Sequence, residues 1–122
     1  MKETFHEFLE LIKLDRKNSA WARSNTIKSR FEELKSEIAE IEVAIEKDDM
    51  QNLKEELGDA LLDLMTVMVI AEEKGYFKAE DAVKAIITKI KRRKPWIFSG
   101  EKLTAEQEVE RWKEAKKKEK NS

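Results

Sequence analysis

The chain has no cysteine, one proline, three glycines and one histidine among its 122 residues. Without cysteine there are no disulfides, no thiolate nucleophile and no cysteine-based zinc site. The single histidine, His6, has no second His to complete a zinc site and none of the company a catalytic triad needs. It lies between apolar positions of the first predicted helix, where packing or solvent exposure is its expected role. Few helix breakers, set beside 42% charged and 40% hydrophobic residues rich in Glu, Lys, Leu and Ile, predict an all-α protein. Long apolar runs are missing too. The longest, residues 64–71, is far short of the ~20 residues that cross a bilayer. Lys2, Glu3, Glu7, Glu10 and Lys13 interrupt the first stretch, so it does not read as a signal peptide. The expectation is a soluble, cytoplasmic protein with no membrane partner, folded as a single domain over residues 1–122.

A net charge of −1 gives no global pull toward nucleic acid. The charge is nevertheless segregated. Residues 30–63 hold 12 acidic and 4 basic side chains, and residues 84–120 hold 13 basic and 6 acidic ones. Ion-paired helix surfaces explain most of such charges. An acidic metal patch and a basic phosphate-binding patch produce the same asymmetry.

Periodicity gives four or five helices. The first covers residues 2–17, with Phe8, Leu9 and Ile12 on its apolar face. A polar break over residues 18–25 contains Trp21. The second helix, residues 26–46, has Phe31, Leu34, Ile38, Ile41 and Ile45 as its stripe, and the third, residues 49–74, follows an Asp48-Asp49 cap with Gln51 placed for a capping box. From Leu61 onward the third helix is apolar all round, which in so small a protein predicts a subunit interface as well as a core. Gly75 is placed to stop it. The fourth helix, residues 79–93, buries Ala82, Val83, Ile86, Ile87 and Ile90. After a short loop over residues 96–102, Thr104 and Gln107 open a last helix to about residue 120.

The second and third helices carry the chemistry. Glu37 and Glu40, then Glu56 and Asp59, form two i, i+3 pairs. Residues three apart share a helix face, so two packed helices can aim four carboxylates at one point. Clustered anions need a cation, and oxygen ligands suit a hard one such as Mg²⁺; the bland alternative is surface carboxylates paired with Lys35, Lys54 and their like. Gly58 within the third helix costs about 1 kcal/mol relative to Ala, a cost tolerated where a helix or ligand comes close. Asp63 extends the acidic flank into an apolar segment and needs a metal, a base or a polar partner there. On the fourth helix Lys89, Arg92 and Arg93 share a face at i, i+3, i+4. They either complement the helix dipole or grip phosphate oxygens. Trp21 and Trp112 are packing anchors or, less commonly, base-stacking platforms.

This arrangement resembles the MazG family of all-α nucleoside triphosphate pyrophosphohydrolases, with a Glu-Glu-x-x-Glu helix followed by a Glu-x-x-Asp helix. Glu56-Leu57-Gly58-Asp59 is the second motif. Ser36-Glu37-Ile38-Ala39-Glu40 is the first, with Ser36 in place of the leading Glu. Residues 89–98 look like the family's Lys-x-x-Arg-Arg-x-Pro-x-x-Phe segment, and residues 112–120 like its Trp-Glu-x-x-Lys-x-x-Glu-Lys tail. Trp21, Thr26 and Ser29 fall where the family often has Trp, Thr and Ser; Ala22 and Asn25 replace a usual Asp and Gln. The resemblance implies a bundle completed by dimerisation, a homodimer or higher homo-oligomer. It implies Mg²⁺, with Mn²⁺ as a substitute, held by Glu37, Glu40, Glu56 and Asp59. It implies a triphosphate substrate bound by Lys89, Arg92 and Arg93, Lys89 and Arg93 leading, and a house-cleaning hydrolysis of noncanonical or excess nucleotides to monophosphate and pyrophosphate. Alternatives are a narrower relative acting on dCTP or phosphoribosyl-ATP, and a catalytically inactive helical interaction module.

Overall fold

The computed structural model describes residues 1–121, and every regular element among them is helical. The order is α1 (Lys2–Asn18), α2 (Ala20–Ser24), α3 (Ile27–Glu46), α4 (Met50–Glu73), α5 (Ala79–Arg93), α6 (Trp96–Ser99) and α7 (Ala105–Lys120). The five long helices are those the periodicity predicts. The two additions are short. α2 forms in the expected polar break because the Ser19 side chain accepts a hydrogen bond from the Ala22 amide, capping a five-residue helix. α6 is a single turn after Pro95, whose fixed φ suits a helix start, and it ends at Gly100 with φ 79°.

The chain forms two compact units, Met1–Ala79 and a second beginning at Glu80. In the first, α3 and α4 pack along one another as an antiparallel hairpin, and α1 lies on α4. The hairpin turn is short. Asp48 takes a left-handed conformation (φ 54°), which Asp tolerates, and the Asp49 side chain caps α4 by accepting from the Asn52 amide. Gln51 does not close the expected capping box; its amide donates to Glu55 instead. The core where α1 meets α4 is Ile12, Met65 and Val69, flanked by Phe8, Leu9 and Met68. Ile70, Ala71 and Ala44 are also buried. Arg16 donates from Nε and Nη2 to Glu73 at 2.9 and 2.7 Å, fastening α1 to the end of α4. Thr26 and Ser29 form a reciprocal capping box at the start of α3, which gives both residues a structural reason.

Three predicted apolar faces are only partly covered. On α3, Phe31, Ile38 and Ile45 are each more than half exposed, and Ala44 rather than the full stripe is buried. On α4, Leu57, Leu61 and Leu64 are exposed although they lie among apolar neighbours. On α5, Val83, Ile86 and Ile87 are exposed, while Ala82 and Ile90 are half-buried. Periodicity identifies a face as apolar; it does not say what covers it.

In the second unit, side-chain ties hold α5, α6 and α7 together. Trp96 is buried, and its indole Nε1 donates to Glu108 at 2.8 Å. Arg111 makes a bidentate pair with Glu101 at 2.9 and 2.8 Å. Thr104 and Gln107 form the capping box that the sequence predicts for α7. Among the described residues no helix is long and apolar enough to cross a membrane.

Candidate metal centre

Glu37 and Glu40 project from α3, and Glu56 and Asp59 from α4. The hairpin brings one carboxylate oxygen each from Glu37, Glu56 and Asp59 within 4.8 Å of one another. Glu40 belongs to the same electrostatic group, since its carboxyl lies against those of Glu56 and Glu37. Glu37 and Glu56 are half-buried, and each has an Oε2 that is buried without a hydrogen-bond partner. An ionised carboxylate can only accept, so two of them facing each other satisfy neither. A cation or a proton is the missing partner. An all-oxygen donor set of three or four carboxylates fits Mg²⁺ or Mn²⁺ and argues against softer metals.

The electrostatics show the same deficit. The Glu40 carboxyl is pushed up by its hydrogen bond with Glu56, then by the Glu56 charge. For Glu37 the hydrogen bond with Glu56 pulls down, but burial and the charges of Glu40 and Asp59 outweigh it and the carboxyl ends above its ordinary range. Glu56 behaves alike: its bond with Glu40 lowers, while Glu37, burial and Asp59 together raise it further. Three carboxyls that hold protons more tightly in the fold than in the unfolded chain lose stabilisation as pH rises through their raised values. A divalent cation competes for the same oxygens. The increase in melting temperature on adding MgCl₂ is therefore expected to be largest near about pH 7.5 and to vanish near about pH 4, where the carboxyls are protonated. Calorimetric scans across pH with and without MgCl₂ measure it; a magnesium effect independent of pH would exclude these groups as the binding site.

Two residues near the cluster are not part of it. Asp63, one turn beyond Asp59 and only 2% exposed, forms a buried ion pair with Arg30 of α3. Its partner is thus a base, not a metal. Gly58 meets no close neighbour: a Cβ there would find nothing within 4 Å, so the expected close approach does not occur within the chain. Trp21 is 68% exposed, with the Arg30 guanidinium 5.7 Å from its ring centroid. Together with Asn25, Thr66, Ala22 and Leu62 they border a small cleft of about 90 Å³. Arg30 carried no signal in the sequence, because its partner lies 33 residues away.

Of the predicted basic residues, Arg92 and Arg93 are drawn together and Lys89 is exposed on α5. Both arginines pair with Glu119 of α7, and the Arg93 guanidinium lies 4.9 Å from the Trp112 ring centroid. Trp112 is accordingly a half-buried platform under Arg93. Glu119 is the Glu of the tail motif over residues 112–120, but the motif does not name the arginines it meets.

Comparison with known proteins agrees with this geometry. A family description, MazG nucleotide pyrophosphohydrolase domain, matches residues 25–98, which contain all four carboxylates and both arginines. The chain is 35% identical over 103 residues to the nucleoside triphosphate pyrophosphohydrolase/pyrophosphatase MazG of Thermotoga maritima, covering 80% of this chain and 40% of that one. It is 33% identical over 127 residues to the uncharacterized protein YabN of Bacillus subtilis, covering 99% of this chain and 26% of that one. The chain thus spans well under half the length of these relatives. The crystal structure of a mazG-related protein from Thermotoga maritima superposes with a TM-score of 0.85 at 36% identity, over 92% of this chain and 98% of the other. A hairpin with two acidic pairs, an Arg-Arg-x-Pro segment and a matching helical fold over nearly the whole length leave one assignment: the chain belongs to the MazG nucleotide pyrophosphohydrolase family.

Proposed function

We propose that the chain is a Mg²⁺-dependent nucleoside triphosphate pyrophosphohydrolase that converts a nucleoside triphosphate and water to a nucleoside monophosphate and pyrophosphate. The observation that carries this reading is the convergence of Glu37, Glu56 and Asp59, with buried oxygens of Glu37 and Glu56 lacking any donor. The activity for which the Thermotoga maritima relative is named supports the same reaction. Glu37, Glu40, Glu56 and Asp59 are the residues to hold Mg²⁺, with Mn²⁺ as a substitute. When bound, such an ion neutralises phosphate charge and makes a ligated water more acidic. Glu40 stands outside the compact triad, so of the four it is the one suited to take the proton from the attacking water. Lys89, Arg92 and Arg93 hold oxygens of the leaving pyrophosphate and balance its growing charge. Exposed Trp21 offers a face for the base, and Trp112 supports Arg93.

The same reading treats residues 1–122 as one functional domain. It also assigns the exposed apolar residues Phe31, Ile38 and Ile45 of α3 and Leu57, Leu61 and Leu64 of α4 to a second copy of the chain, giving a homodimer or a larger homo-oligomer. Membership of the family supports a cytoplasmic house-cleaning role on noncanonical or excess nucleotides. Nucleic acid is not the partner on this reading, since the acidic stretch over residues 30–63 repels a phosphate backbone.

The test is a phosphate-release assay coupled to inorganic pyrophosphatase, run over all ribo- and deoxyribonucleoside triphosphates with and without Mg²⁺. Magnesium-dependent release from at least one triphosphate is expected; none from any would end the proposal. In the same assay Lys89→Ala is expected to raise KM about tenfold with kcat within about twofold, the pattern of lost substrate binding. Unchanged kinetics would return Lys89 to the helix-dipole role.

A further inference from the structure

We propose that Glu119 is a positioning residue, whose single carboxylate gathers Arg92 and Arg93 into one anion-binding unit. This rests on the phosphate-binding role proposed for the two arginines. Arg92 and Arg93 flank the Lys89 direction on one broad face of α5 but start about 100° apart, so their guanidiniums diverge unless something draws them together. Like charge drives them further apart. Glu119 reverses both tendencies. Its Oε1 accepts from Arg92 Nε and, at 3.3 Å, from Arg93 Nε; its Oε2 accepts from Arg93 Nε at 3.2 Å and Nη2 at 2.7 Å. Trp112 holds Arg93 from the ring side at 4.9 Å.

The three side chains differ in exposure in a way that divides the labour. The Arg93 side chain is 11% exposed and locked between Glu119 and Trp112, whereas that of Arg92 is 50% exposed and uses only Nε toward Glu119. Arg93 therefore sets the direction and Arg92 keeps its Nη groups for a ligand, a reversal of the weight that the sequence alone gives the pair. Two guanidiniums and one carboxylate leave a net positive charge. The unit forms part of the wall of a cleft of about 350 Å³, lined also by Arg111, Lys118, Glu114, Pro95 and Trp96, a size that suits a small ligand. The pairing is strong enough to hold the Glu119 carboxyl down from 4.5 to about 2, through Arg93 first and Arg92 second. Glu119 thus stays ionised at any pH where a nucleotide polyphosphate is bound.

The experiment compares the full chain with Glu119→Gln and Glu119→Asp, using nucleoside triphosphate kinetics and calorimetric binding of magnesium pyrophosphate. Glu119→Gln is expected to raise KM and the pyrophosphate Kd together by about tenfold with kcat within about twofold, and Glu119→Asp to recover most of both. Should the Gln variant not fold, the Asp variant alone is expected to raise both constants about threefold. A lower melting temperature with KM and Kd unchanged would reduce Glu119 to a strut for α7 and overturn the proposal. A fall in KM would also overturn it, since Glu119 would then be occupying the arginines against substrate. If the parent chain cleaves no triphosphate, the proposed activity fails, and pyrophosphate calorimetry still decides on Glu119. Equal Kd values in parent and variant, or no binding by the parent, reject its role.

Discussion

Glu56→Gln and Asp59→Asn are each expected to lower triphosphate turnover by about 10²- to 10³-fold while circular dichroism stays that of the parent. Each change removes a charged oxygen from a set whose atoms lie within 4.8 Å, yet keeps the shape of the side chain. Loss of one ligand weakens both the hold on magnesium and the charge balance on the phosphates. The fold should not suffer, because the cluster repels itself without a cation. Melting temperatures of the metal-free variants are expected to equal or slightly exceed the parent's. Turnover within about twofold of the parent in both variants would remove these carboxylates from the reaction. A collapse of the helical signal would show instead that they support the hairpin.

The second large effect concerns stability. Asp63→Ala is expected to destabilise the chain by about 3–5 kcal/mol, because it leaves the buried Arg30 guanidinium without its counter-charge. Arg30 and Asp63 are 9% and 2% exposed, so water cannot substitute for the lost partner. Asn25 Oδ1, 3.4 Å from Arg30 Nη1, is too distant to do so either. Against a total stability of about 5–15 kcal/mol, this is enough to unfold much of the sample at moderate temperature. Guanidinium unfolding measures it, and a loss below about 1 kcal/mol would mean that Arg30 finds another partner. The double change Arg30→Met with Asp63→Leu should recover most of the loss, since it removes both charges at once.

How far the chain could be read from its residues depends on the distance over which each signal acts. Helix bounds rest on local chemistry: the Thr26 and Thr104 caps, Gly75 after α4 and Pro95 after α5 mark ends within a residue or two of those observed. The acidic pairs were legible for the same reason, being spacings within a turn. The short α2 was missed because five residues leave no periodicity, only the Ser19 cap. The partners of Asp63 and Arg92 lie 33 and 27 residues away, and nothing local names them. Asp63 did advertise a need, as a charge in an apolar run; Glu119 stood out only as a position of the tail motif, which says nothing of its partners. The apolar stripes of α3 and α5 were found as stripes, but Phe31, Ile38, Val83 and Ile87 show that a stripe's neighbour is not written in its own sequence.

The α3–α4 hairpin carries all four carboxylates of the cluster, Glu37, Glu40, Glu56 and Asp59, on two helices joined by a turn of a few residues. During synthesis the complete set is in the chain before any of the residues from Lys89 onward are added. Its closure needs only local diffusion of adjacent helices, a fast event compared with joining distant segments. A divalent ion available at that moment meets a trap already assembled, and by relieving the mutual repulsion it favours the closed hairpin over the open one. On the proposed reading the cation takes part in making the protein as well as in its chemistry, and the magnesium level influences how readily a nascent chain commits to its native pairing.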